Sequence, residues 1–362
     1  MEGGMGLEWA LVGLVGWAVA TITYASRRAL AHHNDPNRRL DGSEVVQLSG
    51  HSGVWLAVGA SVSLVVFFYG SAALALVGAL SVCITGFFAL AWALDPLLSL
   101  ATASSSSSSS AFSSSSSASM SSPFVMRSVA NGGLVTGGAS VLVIFAWFVC
   151  QHWILNNALG VAMCVLFVSL VRVPSMKVSA AVLGSLFLYD IFWVFLSHHF
   201  FGENVMLAVA TREAQNPAAV LAQHLHLEAH VSPSLQLPAK IIFGPLMLGL
   251  GDIVLPGLLA AFAMRFGHRK TGRTFINPHY LCFLCGYGVG LLASFAAVMT
   301  YRMAQPALLY IVPSTLGALA LLGLWRGELV ELWHGFPEDF LLLAGNNDGD
   351  TRRPDEPDRY DV

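Results

Sequence analysis

Two aspartates stand where aspartates are costly. Asp190 lies in the run "GSLFLYDIFWVF" and Asp252 in "PLMLGLGDIVLPGLLAAFAM", stretches otherwise apolar enough to cross a bilayer. A carboxylate at the centre of a helix in lipid costs about 2.5–3.5 kcal/mol even on lenient insertion scales, so a chain that keeps two has a use for them. Nearly all the other acidic residues, of 21 in total, fall in loops, tails or span margins, with Glu8 and Asp95 close to the ends of their runs. Two carboxylates in a low-dielectric site cannot both ionise cheaply, so they share a proton. One then acts as general base on a water while its protonated partner polarises a carbonyl, which is aspartic-protease chemistry and requires neither metal nor other cofactor. A proton relay in a transporter would use the same pair, and a third reading has the two acids merely hydrogen-bonding helices together.

The elements that must position this pair are membrane helices. Of 362 residues, 55% are hydrophobic and 11% charged, with mean hydropathy +0.66. Soluble domains carry roughly 25% charged residues. A net charge of -3 offers no general basic surface for nucleic acid. Runs of about 17–25 apolar residues predict nine spans: Leu7–Tyr24, Val54–Tyr69, Ser71–Leu94, Gly133–Cys150, Asn157–Val173, Val178–Leu196, Phe243–Met264, Tyr280–Thr300 and Gln305–Trp325. The leader "MEGGMGLE" is acidic, which favours a retained first helix with its N-terminus outside. With that polarity only Arg212, Lys240 and Arg302 of the 18 basic residues face outside, as the positive-inside rule requires, and the C-terminal tail is cytosolic. Asp190 then lies eight residues before the outer end of span six, and Asp252 nine after the outer start of span seven. In helices these are depths of roughly 12 and 14 Å. Antiparallel neighbours would bring the two carboxylates level.

The chain accordingly divides into residues 1–173 (spans one to five), 174–333 (spans six to nine, with an exoplasmic loop at 198–240) and an acidic tail, 334–362. The serine-rich tract at 104–122 and the tail are too polar and monotonous to bury a core, and are expected to be disordered cytosolic segments. Cys282 and Cys285 form a CxxC, read as two small packing residues one helical turn apart. The loop histidines His198, His199, His224, His226 and His230 are spaced too irregularly to favour a metal site.

Around Asp252, Gly249 and Gly251 strip side chains from the helix face and make clearance for a partner helix or an extended substrate backbone. "QPALLYIVP", Gln305 to Pro313, opens span nine with Pro306, which removes a helical hydrogen bond and frees backbone groups. Such groups at membrane depth must face protein or a watery cavity. A substrate unwound to an extended strand can be held there by backbone pairing.

"YD" at Tyr189-Asp190, "GLGD" at Gly249-Leu250-Gly251-Asp252 and "PAL" at Pro306-Ala307-Leu308 resemble, in order and in separate spans, the three signatures of the presenilin and signal peptide peptidase family. "YDIFWVF", "GDIVLPG" and "QPALLYIVP" look like the signal peptide peptidase side, and "VRVPSMKVS", "NVMLAVAT", "NPAAVLAQHLHL" and "LQLPAKIIF" look like its type 3, Golgi branch. The resemblance covers roughly residues 45–333, apart from the serine tract. It implies an all-α, presenilin-like GxGD aspartyl protease fold of about nine transmembrane helices. It also implies an intramembrane endopeptidase without cofactor or metal that cleaves type II membrane proteins, such as glycosyltransferases, and works alone or as homo-oligomers. By matching motif, Asp190 and Asp252 would be the catalytic pair, Tyr189, Gly249, Leu250 and Gly251 their immediate neighbours, and Gln305, Pro306, Ala307 and Leu308 the wall of the site. The Golgi is the expected compartment, with the endoplasmic reticulum and cleavage of remnant signal peptides as the alternative.

Overall fold

An apolar run in lipid can satisfy its backbone only internally, which selects helix for most of this chain. The structure, a computed structural model, describes residues 2–34, 46–69, 72–105, 133–202, 205, 214–215, 234–235, 237–274, 277–303 and 305–336. Helices α1 (Glu2–Asn34), α2 (Ser52–Tyr69), α3 (Ala72–Ser105), α4 (Gly133–Cys150) and α5 (Trp153–Leu170) are followed by α6 (Met176–Ile191). The latter runs on through a π-helical segment, Phe192–Leu196, into α7 (Ser197–Phe201). Further on come α8 (Gly251–Thr271), α9 (Pro278–Tyr301), α10 (Leu308–Arg326) and the short α11 (Leu329–His334). Among the described residues seven helical segments are long and apolar enough to cross a membrane, and they correspond to spans one, two, three, five, six, eight and nine. In span four the described apolar helix is shorter, Thr136–Cys150. The span boundary at Gly70, the serine tract from residue 106 on, the acidic tail from residue 337 and the histidines 224, 226 and 230 lie outside the described residues.

Span seven departs from the expectation. The segment predicted as one helix, Phe243–Met264, enters instead as a hairpin of β5 (Lys240–Phe243) and β6 (Leu246–Gly249), and helix begins only at Gly251. The pairing runs from Lys240 opposite Gly249 to Phe243 opposite Leu246, so the turn is Gly244-Pro245. Gly244 takes φ +59, a conformation that suits a residue without Cβ. The cause is local: Pro245 withholds an N–H from any helix, and the flanking β-branched Ile241 and Ile242 favour extended backbone. Gly249 and Gly251 therefore do not share a helix face; one ends a strand and the other starts a helix. The depth estimate for Asp252 falls with this, since four residues climb about 13 Å as strand and about 6 Å as helix. Among the described residues there are also two-residue pairings of β1 (Val46–Gln47) with β2 (Val171–Arg172), parallel, and of β3 (Ala214–Gln215) with β4 (Ser234–Leu235), antiparallel.

Helix α1 is the post around which the hairpin and α8 are set. Its residues Leu14, Ala18, Ile22, Ala25 and Ala29, at spacings of three and four, are buried along one stripe. It packs against α5, α8 and both hairpin strands. The Phe243 ring occupies the space a Cβ at Gly13 would need. Helices α9 and α10 make the most intimate pair, because Gly286 and Gly290 let backbones meet: a Cβ on Gly290 would lie 2.8 Å from the Ile311 Cα. Cys282 belongs to the same seam and donates to the Ala318 carbonyl at 3.2 Å, which is the packing role expected of it.

Candidate active site

Asp190 is the penultimate residue of α6 and is 5% exposed. Immediately after it the helix widens, with the Ser197 N–H reaching the Phe192 carbonyl five residues back. Single π turns of this kind inside α-helices recur at functional sites, and they re-aim the side chains that precede them. The wide turn is braced by the Ser197 hydroxyl on the Trp193 carbonyl at 2.6 Å and by the Trp193 indole N–H on the Ser61 hydroxyl of α2 at 3.1 Å.

The carboxylate of Asp190 has a partner on another helix. The N–H of Leu308 donates to its Oδ2 at 3.2 Å. Leu308 is the first residue of α10, where an amide has no intrahelical acceptor. Pro306 just before it is buried and brings no N–H, while its carbonyl and that of Ala307 accept the next amides, from Leu309 at 3.2 Å and Ile311 at 3.1 Å. The positive end of the α10 dipole thus points at Asp190. Pro306 itself lies before the helix, so the Leu308 N–H is available because α10 starts there and not because the proline removes a helical hydrogen bond.

Asp252 sits in the first turn of α8. The switch from ladder to helix happens at Leu250, whose N–H still bonds the Ala239 carbonyl at 3.0 Å while its own carbonyl accepts from Ile253 and Val254. A Cβ at Gly249 would lie 3.3 Å from Asp252 Oδ2, so the glycine leaves the carboxylate its room. The hydroxyl of Tyr287, fully buried on α9, donates to the Asp252 carbonyl at 3.2 Å and pins the turn.

Both aspartates line one cavity of about 280 Å³. Tyr189, Gly251 and Leu308 line it with them, and its remaining wall is apolar: Leu56, Ala60, Phe167, Leu186, Leu255 and Leu258. The other residues named from the sequence stand one layer back. Gly249 and Leu250 form the corner behind Asp252, and the Leu250 side chain fills the space beside Gly160 of α5. Pro306 and Ala307 shape the start of α10, and Gln305 accepts from the Tyr310 hydroxyl at 3.4 Å.

Sequence reasoning missed the π segment, the apolar wall and a pair of buried amides. Asn156 and Asn157, in the first turn of α5, are 2% and 0% exposed. Asn157 accepts from the Ile242 N–H at 2.9 Å and donates to the Ile242 carbonyl at 2.7 Å. Asn156 reaches the Lys240 carbonyl at 3.5 Å and accepts from the Trp147 indole at 3.2 Å. Two consecutive carboxamides inside the apolar run "WILNNALGVAM" were the available signal.

A polytopic helical membrane protein that faces two aspartates into an apolar-walled cavity has the make-up of an intramembrane hydrolase. Residues 41–339 match the family described as signal peptide peptidase (Peptidase_A22B), and the chain belongs to that family of intramembrane aspartic proteases. It is 36% identical to signal peptide peptidase-like 1 of Oryza sativa subsp. japonica, over 91% of this chain and 94% of that protein. The Arabidopsis thaliana protein of the same name is 37% identical over 91% and 93%. Signal peptide peptidase-like 3 of Oryza sativa matches at 35% over 58% of this chain and 39% of its own length. The family is as expected from the motifs, while the matches that run nearly end to end carry the type 1 name. No solved structure matches the chain.

Proposed function

We propose that Asp190 and Asp252 are the catalytic dyad and that the substrate is a transmembrane segment of a type II membrane protein, cleaved within the bilayer to release its ectodomain. The observation that carries this reading is the shared cavity: two carboxylates on different helices face one space, each beside a helix N-terminus, with apolar residues around them. One aspartate, ionised, removes a proton from a water that attacks the scissile carbonyl. The other, protonated, donates to the carbonyl oxygen as it gains charge. Collapse of the tetrahedral intermediate breaks the C–N bond, and the proton passes to the leaving nitrogen. Tyr189, Gly251 and Leu308 shape the space beside the dyad, and the Gly249-Leu250 corner and the Gln305–Ala307 entry to α10 hold its two sides.

A peptide bond in a helix is closed to this attack, so the substrate must be unwound. The hairpin supplies somewhere for it to go. By the alternation of an antiparallel ladder, the N–H and C=O of Met247 and Gly249 point away from β5, and neither residue has another hydrogen-bond partner among the described residues. An extended segment paired along β6 would run directly toward Asp252. Glycosyltransferases of the secretory pathway fit the substrate class, the Golgi fits the compartment, and the enzyme needs no subunit beyond copies of itself.

The test is release of a type II reporter ectodomain. Asp190→Ala and Asp252→Ala should each abolish release while the protein still inserts. Undiminished release by either variant sinks the reading, and Asp252-dependent proton flux in proteoliposomes without peptide cleavage would replace it with transport.

A further inference from the structure

A β-hairpin has two edges, and in this chain one of them is closed. The outward groups of β5 belong to Ile242 and Lys240, the positions that do not bond across to β6. Asn157 meets the first with both halves of its carboxamide, acceptor to N–H at 2.9 Å and donor to C=O at 2.7 Å. A carboxamide sets a donor and an acceptor side by side on a planar frame and so reproduces what a neighbouring strand would offer. Asn156 adds a longer contact, 3.5 Å, to the second. Gly160, one turn on, gives the Leu250 side chain its place against α5. The helix α5 therefore serves as a bed that holds β5 at one end and the Leu250 corner at the other. Among the described residues no side chain does the same for β6, where Met247 is 51% exposed and its backbone N–H and C=O meet no partner.

We infer that Asn157 is a positioning residue of the protease. Its carboxamide takes up the β5 edge, so that β6 is the edge of this hairpin left for an extended substrate, and it sets the hairpin's register relative to Asp252. This rests on the proteolytic reading above. Asn157 touches neither the cavity nor the dyad, so its effect falls on how the substrate is bound and which bond is presented, and little on the bond-breaking step. Without the clamp, β5 would expose a second unpaired edge at membrane depth, where unpaired groups are costly. The hairpin would then shift to cover it, or a substrate would pair on the wrong side. Either displacement changes the bond that reaches Asp252, because successive residues of a strand advance about 3.3 Å.

The experiment uses full-length protein in lipid nanodiscs with a type II transmembrane peptide, with KM, kcat and the cleavage products by mass spectrometry as readouts. Asn157→Leu, which matches the volume and removes both hydrogen bonds, should raise KM about tenfold, leave kcat within about threefold, and spread cleavage over neighbouring bonds. Asn157→Gln, which keeps the carboxamide, should restore part of the affinity and narrow the products. Asn157→Ala, which removes both hydrogen bonds with less bulk, should raise KM like the leucine, and it provides the decisive variant if the leucine protein fails to insert. Wild-type KM and an unchanged product pattern in a folded leucine or alanine variant would overturn the inference, as would a fall in kcat alone. If the wild-type protein itself cleaves nothing, the proteolytic reading fails first; if it cleaves and the variants match it, only the role of Asn157 fails.

Discussion

At the scale of single residues, the proposed site depends on what is missing as much as on the two carboxylates. Gly249 has space for a hydrogen and little more, since a Cβ would come within 3.3 Å of Asp252 Oδ2. Gly249→Ala should therefore insert and fold but push the carboxylate off its position. A misplacement of about 1 Å costs up to about 10²-fold, and here a few tenths of an ångström should cost about tenfold in kcat, read in the same reporter assay. The contrasting case is Gly184, on the α6 helix that carries Asp190, beside which nothing lies within 4 Å. Gly184→Ala should leave activity unchanged and raise stability by about 0.5–1 kcal/mol, because alanine loses less backbone freedom on entering a helix. If Gly184→Ala were as damaging as Gly249→Ala, the loss would reflect a general intolerance of added side chains and not crowding at the carboxylate.

At the scale of elements, the two halves of the site are delivered by two different devices. Asp252 comes at the corner where a strand becomes a helix. Asp190 comes on a continuous helix and is met by the start of another, α10, whose approach is fixed by α9. The backbone contact at Gly286 and Gly290 is what sets that approach, with the Ser314 carbonyl 2.7 Å from a Cβ placed at Gly286. Gly290→Ala should force α9 and α10 apart, destabilise by about 1–3 kcal/mol as overpacked interfaces do, and withdraw the Leu308 amide from Asp190. Thermal unfolding in detergent and the release assay should fall together; wild-type behaviour in both would mean the seam does not set α10. Much of this layer was legible in the sequence, because long apolar runs such as Val178–Leu196 and Tyr280–Thr300, without a Gly-Pro turn, satisfy their backbone in lipid as helices. The hairpin was not, since "IIFGPLMLGLG", Ile241 to Gly251, is apolar throughout and an apolar run by itself does not distinguish strand from helix. Its Gly-Pro turn and paired isoleucines were the only local markers. The π segment left no marker at all, because "DIFWVFLS" satisfies a 3.6-residue period as well as a wider one.

At the scale of the whole molecule, the motif-bearing half, residues 174–333, leans on the residues before it. Four hydrogen bonds tie it to residues 1–173 at points that matter for the site: two between Asn157 and Ile242 of the hairpin, one from the Tyr280 hydroxyl to Thr23 at 2.9 Å, and one from Arg265, which is 8% exposed, to the Val173 carbonyl at 2.7 Å. Helix α1 adds the surface against which the Phe243 ring and α8 pack. A fragment of residues 174–362 would keep both aspartates and every family signature, yet its hairpin would lose the bed on one side and the post on the other. Expressed alone it should insert without cleaving a type II reporter, and co-expression with residues 1–173 should restore part of the activity as the apolar faces reassemble. A break placed in the serine tract at Ser113 severs none of these contacts, so the two resulting fragments, co-expressed, should retain activity close to that of the intact chain. Cleavage by residues 174–362 alone would mean that spans six to nine fold the hairpin unaided, and that the first five serve some purpose other than building the site.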